Sequence, residues 1–229
     1  PLLLVLTSIL IYEQGQYLGR IDYGFDADRL VHIDVQDAPP DALLHEAEAL
    51  SGVTATALIG PYLPAGGSIL SPTFGVPGRS DSLSALMYHG TARTLLPTLG
   101  VDLVAGRPSG PSEVLINEEA VRRLGLDRPS QAVGLTLRGD TTYQISGVME
   151  NFQARPVFSP ITPVVLAHRP EAHGGTLLIR AAPSRHEAIL DHFEERWADL
   201  DPVHAFEGAT YRETLQMFTS VFDDILGLV

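Results

Sequence analysis

Two stretches of similar length, one near each end of the chain, show the pattern of a strand, a helix and a second strand. Their strands are short runs of apolar and β-branched residues, and their helices carry apolar residues at helical spacing. In order, the predicted elements are residues 29–35, 42–50 and 53–59, then residues 176–181, 185–200 and 203–206. With right-handed crossovers, two such units form a four-stranded sheet with both helices on one face, a ferredoxin-like arrangement.

The stretch between these units, residues 100–152, predicts a compact mixed α/β unit in the order strand, strand, helix, strand, strand. Its three apolar runs have the length and the flanking Gly, Pro or Asp of buried strands. They lie at residues 101–104, 114–116 and 143–148. Asn117 is suited to cap the helix, which two glutamates begin and Gly125 ends. Gly106 and Gly147 are expected to need a positive φ or close packing.

These patterns predict an α+β fold in which a split lobe of two β-α-β units is interrupted by an inserted lobe. We expect the split ferredoxin-like lobe to comprise residues 21–82 and 158–209, and the inserted mixed α/β lobe to comprise residues 83–157. A chain of 229 residues is long enough for one large or two small domains. Its hydrophobic fraction of 45% is typical of a folded protein.

Composition excludes several classes of function. The net charge of −13 opposes binding to nucleic acid and to anionic lipid. The chain has no Cys, and therefore no disulfide, thiolate nucleophile or Cys-based metal site. All 15 basic residues are Arg, which excludes a P-loop and Schiff-base chemistry because both need Lys.

Both ends of the chain are apolar and predict helices. Residues 1–12 are too few to cross a bilayer, which needs roughly 20 residues, and they lack the basic start and cleavage site of a signal peptide. Residues 13–20 continue that helix with polar residues. Residues 210–229 carry an apolar stripe, with two aspartates that hydrocarbon would disfavour. From the residues alone, each end is either a core helix or the end of a membrane helix.

Residues 60–82 are rich in Pro, Gly and Ser and predict a long surface loop, with one strand near residues 68–73. Connections longer than roughly 12–15 residues are uncommon in compact domains and are often functional. This loop is therefore either a contact surface or a connector between the lobes.

Four histidines are candidate metal ligands. His186 and His192 share a predicted helix, but six residues separate them by about 240° around its axis, which favours a solvated helix face. His168 and His173 flank a turn without an obvious third ligand. Ser68 follows two glycines but lacks the G-x-S-x-G motif of a nucleophile.

Several acidic pairs could in principle act as general acid and base. They are Asp26 with Asp28, Glu118 with Glu119, Glu194 with Glu195, and Asp199 with Asp201. Helix capping and solubility explain them better, because the chain is rich in acids throughout. Arg107 follows a strand end and is predicted to pair with Asp102 or Glu113. The sequence therefore predicts no catalytic, cofactor-binding or metal-binding residue.

A series of short motifs resembles the extracytoplasmic domains of MacB/FtsX-type ABC transporter permeases. The run GVDLVAGR at residues 100–107 resembles the family pattern G-(I/V)-x-L-(V/L)-x-G-R. Further similarities follow in the family's order at residues 16–17, 22–26, 114–118, 120, 124–125, 132–134, 145–148, 151–152 and 211–213. Each motif alone is weak, but their order makes the resemblance specific, and it covers nearly the whole chain.

The resemblance implies a porter-like split lobe near the membrane and a sabre-like inserted lobe. It implies that residues 1–20 end a membrane helix and that residues 210–229 lead to the next one. It further implies a non-enzymatic role in the inner membrane, on the periplasmic side, with no cofactor. The implied partners are a cytoplasmic ABC ATPase, a second permease copy, and a periplasmic adaptor or lipoprotein substrate. Family substrates include lipoproteins, peptides and hydrophobic compounds.

Two other functional classes remain compatible with the residues. A ligand-binding or sensor ectodomain of a membrane receptor would also have apolar helices at both ends, and would need a pocket with convergent polar groups. A secreted hydrolase would need a nucleophile and a base within hydrogen-bond reach.

Overall fold

The computed structural model describes residues 23–60, 71–78, 82–155, 159–169 and 175–217. Twelve strands in these ranges form one mixed sheet. The strands are β1 Leu30–Asp34, β2 Val53–Gly60, β3 Thr73–Gly75, β4 Ser82–Ser84, β5 Leu86–Gly90, β6 Leu103–Gly106, β7 Glu113–Asn117, β8 Thr136–Arg138, β9 Thr142–Met149, β10 Val164–His168, β11 Thr176–Ala181 and β12 Gly208–Thr210. The α-helices whose two ends both lie in the described ranges are α1 Pro40–Ala49, α2 Ala92–Leu99, α3 Glu118–Arg123 and α4 His186–Leu200, and a further helix begins at residue 211.

One end of the sheet has the ferredoxin-like strand order β12-β1-β11-β2. All three neighbouring pairs are antiparallel, so β1 and β2 run parallel on either side of β11. Helix α4 buries Ile189, Phe193 and Trp197, which recur every four residues and so share one face. Helix α1 buries Leu43 and Ala47 for the same reason. The predicted split ferredoxin-like fold is confirmed.

The predicted strand at residues 203–206 is wrong. The carboxylate of Asp201 accepts hydrogen bonds from the backbone N–H of Val203 at 2.9 Å and of His204 at 3.1 Å, which folds this segment into a turn. The returning strand is β12, a few residues later, and it pairs with β1 through Val31 and Thr210.

The other end of the sheet continues in the order β5-β10-β7-β9-β8-β3-β4, with β6 pairing to the outer side of β9. The pairs β5–β10 and β7–β9 are parallel, and the remaining pairs here are antiparallel. The two ends of the sheet join through β2 and β5, by the pairs Ile59 with Gly90 and Gly60 with His89.

Among the described residues, three hydrophobic clusters form the core. The first lies between the ferredoxin-like strands and helices α1 and α4. The second lies under α3 and includes strands β7 to β10. The third, here called the shared core, contains side chains from both ends of the sheet and from α2. The shared core includes Leu30 and Leu178 from one end and Leu86, Leu115 and Leu166 from the other, so both ends of the sheet depend on it.

In the middle of the chain, local sequence patterns correctly predicted where helix α3 begins and ends. The Asn117 side chain accepts a hydrogen bond from the N–H of Ala120, as a helix cap does. Gly125 has a φ of 62°, which matches the predicted left-handed end of that helix. The first strand of this unit, β6, begins two residues later than predicted, because Gly100 ends helix α2 with a φ of 74°.

Some predictions fall partly or wholly outside the described residues. These are the helices at residues 1–20 and beyond residue 217, and most of the loop at residues 60–82. Within that loop, β3 at Thr73–Gly75 pairs with β4 and β8. The lobe boundaries at residues 21–82, 83–157 and 158–209 stay predictions.

Candidate functional site at the terminal junction

Both ends of the described chain meet at strand β1. The incoming segment, residues 23–29, leads directly into β1. The outgoing helix begins at residue 211, directly after β12, which pairs with β1. The incoming segment, the outgoing helix up to residue 217 and His32 on β1 are called the terminal junction here.

An aromatic cluster holds the terminal junction together. Tyr211, the first residue of the outgoing helix, is only 1% exposed. Its ring centroid lies 5.6 Å from that of Phe25 and 5.5 Å from that of His32, both in edge-to-face geometry. An aromatic pair in this geometry contributes about 0.5–1.5 kcal/mol to stability, in addition to the hydrophobic gain from the surface that it buries. Burial raises the pKa of the Tyr211 hydroxyl well above its usual value, so the cluster is uncharged at this position.

His32 links the sheet to the outgoing helix. Its Nε2 lies 2.6 Å from Oγ1 of Thr214. Its Nδ1 is buried and has no hydrogen-bond partner among the described residues. Burial lowers the pKa of His32, and the nearby Glu213 carboxylate opposes this effect only in part. The imidazole is therefore neutral at pH 7, as this environment requires.

Two acidic residues fix the start of the outgoing helix. Arg212 forms an ion pair with Asp28 of the incoming segment, and both side chains are 58% exposed. Glu213 accepts hydrogen bonds from the N–H of Thr210 at 2.9 Å and from its hydroxyl at 2.8 Å. These bonds lower the pKa of Glu213. The carboxylate thus compensates the first unpaired backbone donor of the helix.

The incoming segment also contacts both ends of the sheet. The Asp26 carboxylate lies 2.6 Å from the guanidinium of Arg180 on β11, and its N–H donates to the carbonyl of Leu99 on α2 at 3.0 Å. The carbonyl of Tyr23 accepts from the N–H of Gln153, just after β9, at 2.7 Å. A side chain at Gly24 would place Cβ 2.5 Å from the carbonyl oxygen of Asn151. The terminal junction therefore joins the two chain ends to both ends of the sheet.

Arg107 pairs with Glu113, one of its two predicted partners. The guanidinium contacts both carboxylate oxygens, one of them at 2.8 Å, and the N–H of Gly110 donates to the same carboxylate at 2.8 Å. The hydrogen bonds from Arg107 lower the pKa of Glu113. The pair pins the loop between β6 and β7, and the Arg107 guanidinium is therefore engaged by Glu113 rather than free to bind an anion.

The described histidines that were candidate ligands lie in separate environments. His192 contacts Glu46 at 2.9 Å, whereas His186 is buried and lies near the carbonyl of Ala181 at 3.4 Å. Across the described ranges, no group of three or more His, Cys, Asp or Glu side chains could hold a metal ion. His173 and Ser68 lie outside the described residues.

Three of the four acidic pairs have separate, structural contacts among the described residues. Asp26 and Asp28 bind different arginines, as described above. Glu119 binds Arg122 at 2.6 Å and Arg123 at 2.9 Å, and the hydrogen bond from Arg122 lowers its pKa. Although burial opposes it, hydrogen bonds from Val203, His204 and Asp37 lower the pKa of Asp201 to about 2.

The motif at residues 211–213 indicates the outgoing segment, whereas nothing in the sequence points to His32. No local pattern distinguishes this histidine, which occupies an ordinary strand position. Its contact with Thr214 depends on the pairing of β1 with β12, which joins residues far apart in the chain.

The sequence profile of the MacB-like periplasmic core domain matches residues 4–195 of the chain. The chain belongs to this family. It is thus an extracytoplasmic domain of the kind found in MacB-like ABC transporter permeases, which confirms the resemblance. Members of this family are transporter domains rather than enzymes.

Solved structures show the same fold. The periplasmic region of MacB from Actinobacillus actinomycetemcomitans has a TM-score of 0.60 at 11% identity, covering 89% of this chain and 98% of that one. A domain of a permease protein from Porphyromonas gingivalis has a TM-score of 0.52 at 18% identity, covering 80% and 89%. The extracellular domain of the noncanonic ABC-type transporter YknZ from Gram-positive bacteria has a TM-score of 0.55 at 6% identity, covering 79% and 99%.

A comparison with curated protein sequences returned no match. Among the described residues, no helix combines the length and the apolar character needed to cross a membrane.

Proposed function

We propose that this domain couples movement of membrane helices at both of its ends to the export or extraction of a substrate. The observation that carries the proposal is the terminal junction, where the incoming segment and the outgoing helix contact each other through Asp28 and Arg212. The same segment reaches β11 through Arg180 and the end of β9 through Gln153. A shift of one chain end relative to the other therefore acts on both ends of the sheet.

The energy comes from a cytoplasmic ABC ATPase, either a separate subunit or a separate domain, since the 229 residues of this chain include no Lys and therefore no P-loop. The domain sits on the periplasmic side of the inner membrane and works beside a second permease copy. A periplasmic adaptor or a lipoprotein is a further partner. Its two working units are the porter-like lobe, residues 21–82 and 158–209, and the sabre-like lobe, residues 83–157.

Co-purification tests the partnership. The whole parent polypeptide is tagged and extracted from membranes in mild detergent. A stoichiometric ATPase in the purified material, either as a separate subunit or as a domain of the parent polypeptide, supports the proposal. A membrane protein that purifies without an ATPase contradicts the proposal and favours a receptor ectodomain.

Cross-linking of the terminal junction tests the coupling. Since the chain has no Cys, Asp28→Cys and Arg212→Cys together create the only thiol pair in the domain. A short bifunctional thiol reagent then joins the incoming segment to the outgoing helix. We expect the ATPase activity of the complex to fall on cross-linking, with each single variant treated in parallel as the control. Full activity after complete cross-linking would show that the junction does not move during turnover.

A further inference from the structure

A groove of about 360 Å³ lies along one edge of strand β2. Residues 53–56 line it, together with Glu48 from α1 and with Arg93, Thr94 and Pro97 from α2. Consecutive residues of a strand point to opposite faces of the sheet. A cavity that touches four consecutive residues therefore follows the edge of the strand rather than either face.

This edge of β2 lacks a neighbouring strand over most of its length. On one side, β2 pairs with β11 from Val53 to Ile59. On the other side, β5 pairs only with Ile59 and Gly60. Between Val53 and Leu58, no other strand of the described residues covers that second side. An edge of this kind presents unpaired N–H and C=O groups.

The backbone of Thr56 points into the groove. A Cβ at Gly90 of β5 would lie 2.9 Å from the carbonyl oxygen of Leu58, so this oxygen faces the open side. A Cβ at Gly175, beside β11, would lie 2.4 Å from the carbonyl oxygen of Ile59, which faces the other way. Because these directions alternate along a strand, Thr56 presents its N–H and C=O on the same side as Leu58.

The two walls of the groove carry opposite charges. Glu48 stands on the α1 side and accepts a hydrogen bond from the hydroxyl of Thr56 at 3.2 Å. Arg93 stands on the α2 side with an exposed side chain. Within the described part of the chain, its guanidinium has no ion-pair or hydrogen-bond partner. An exposed, unpaired guanidinium is suited to bind a carboxylate through two parallel hydrogen bonds.

We propose that the β2 edge is a docking site for an extended segment of a partner polypeptide, which adds a strand there and places a carboxylate at Arg93. An extended main chain is the ligand whose hydrogen-bonding groups match those of a strand edge, and addition of a strand to an exposed sheet edge is a known form of peptide recognition. A second copy of this chain fits less well, because each copy carries a net charge of −13.

The bulge in β2 limits the length of the docked strand. The register with β11 shifts between Arg180 and Ala181, opposite Val53 and Ala55. A bulge bends the strand and interrupts the regular ladder. The partner segment therefore pairs with only the few residues between this bulge and the start of the β5 pairing.

A random heptapeptide library displayed on phage, selected on the immobilised 229-residue chain, tests the site directly. We expect the enriched peptides to contain an acidic residue and to lose affinity about 10-fold in Arg93→Glu, since hydrogen bonds to charged groups are worth this much. Arg138→Glu, a charge reversal at an exposed residue of β8, is the matched control and should bind normally. In nuclear magnetic resonance, the Thr56 amide should become protected from hydrogen exchange when the peptide is bound.

Thermal melting of both variants first establishes that they fold. Failure to enrich any peptide overturns the proposal, as does equal affinity for the original chain and Arg93→Glu. Protection of amides elsewhere, with Thr56 unchanged, also overturns it. Concentration-dependent dimerisation of the chain that Arg93→Glu abolishes would assign the edge to a second copy instead.

Discussion

Gly106 lies where strand β6 approaches β9 too closely for a side chain. A Cβ on Gly106 would lie 2.2 Å from the carbonyl oxygen of Ser146, and the residue has a φ of 80°. We expect Gly106→Val to lower the free energy of unfolding by more than about 2 kcal/mol, because steric overlap adds to backbone strain. Denaturant unfolding measures this difference.

Gly78→Ala is the control for that measurement. Gly78 also has a positive φ, of 79°, but a Cβ there would meet no atom within 4 Å. Its replacement should therefore cost only the backbone strain, about 1 kcal/mol. Gly147→Val should behave like Gly106→Val, since its Cβ would lie 2.8 Å from the carbonyl oxygen of Ala105. Equal stability of Gly106→Val and the original chain would show that β6 does not pack as described.

His32 makes the stability of the domain depend on pH. Burial lowers its pKa in the folded state below the value of about 6.5 in the unfolded chain. The unfolded state therefore binds more protons as the pH falls below about 6.5, and the free energy of unfolding decreases until the folded pKa is passed. His32→Gln should reduce this slope, which denaturant titrations between about pH 5 and pH 7 measure.

His204 is the internal control for the pH experiment. The hydrogen bond to Asp201 raises the pKa of His204, so its contribution to stability is present below the unfolded pKa and is lost as the pH rises through the folded value. This loss falls above about pH 6.5, so titrations extended above pH 7 should show that His204→Gln changes the pH slope there in the direction opposite to the change that His32→Gln causes below about pH 6.5. If the unfolding free energy of His32→Gln depends on pH below about 6.5 as steeply as that of the original chain, His32 is not held neutral by burial.

At the scale of elements, one buried side chain joins the short helix α3 to two strands. The amide oxygen of Asn117 accepts from the N–H of Ala120 at 3.1 Å and from the N–H of Val164 on β10 at 2.9 Å. Its nitrogen donates to the carbonyl of Thr162 at 2.9 Å. Removing this side chain leaves buried backbone groups unpaired, which costs more than the loss of a solvent-exposed cap.

We therefore expect Asn117→Ala to lower the free energy of unfolding by about 2–4 kcal/mol. Gln131→Ala is the comparison, because Gln131 caps an exposed turn through the N–H groups of Asp127 and Arg128, both at 3.0 Å. Its loss should cost less than about 1 kcal/mol. If chemical denaturation shows the same loss of unfolding free energy for both substitutions, the buried hydrogen bonds of Asn117 do not stabilise the domain more than an exposed cap does.

The sequence predicts elements well where their signals are local. Apolar residues at helical spacing identify α1 and α4, and β-branched runs identify β1, β2 and β11. The same reasoning failed at residues 203–206, where Val203 is 76% exposed and Asp201 holds a turn. Valine has a high propensity for strands, and this propensity alone suggested a strand here. The hydrogen bonds from the N–H groups of Val203 and His204 to the Asp201 carboxylate instead give the backbone a turn conformation.

At the scale of the molecule, the shared core determines how the domain unfolds. Leu30 and Leu178 from one end of the sheet lie in the same buried cluster as Leu86 and Leu166 from the other. We expect the 229-residue chain to unfold in a single calorimetric transition whose enthalpy equals the van't Hoff enthalpy. Two resolved transitions would show that the two ends of the sheet fold independently.

The terminal junction could be predicted only in part. The residues of the incoming and outgoing segments carry a family resemblance, which indicated where the chain enters and leaves the domain. The contacts of His32 with Tyr211 and Thr214 arise from the order of strands in the sheet, and no short stretch of sequence encodes that order. The unpaired edge of β2 could not be predicted for the same reason. It exists because β5 pairs with only the last two residues of β2, and this pairing depends on the strand order.

The position of β1 in the sheet also affects how the chain folds during synthesis. Both neighbours of β1, the strands β11 and β12, belong to the last third of the chain. When β1 leaves the ribosome, neither partner exists yet, whereas β7 and β9 of the middle stretch can pair soon after they are made. Long-range pairing is slow because the ends of a long loop must first meet. The first strand of the described residues thus waits longest for its partners, and during that interval its apolar residues need protection from aggregation.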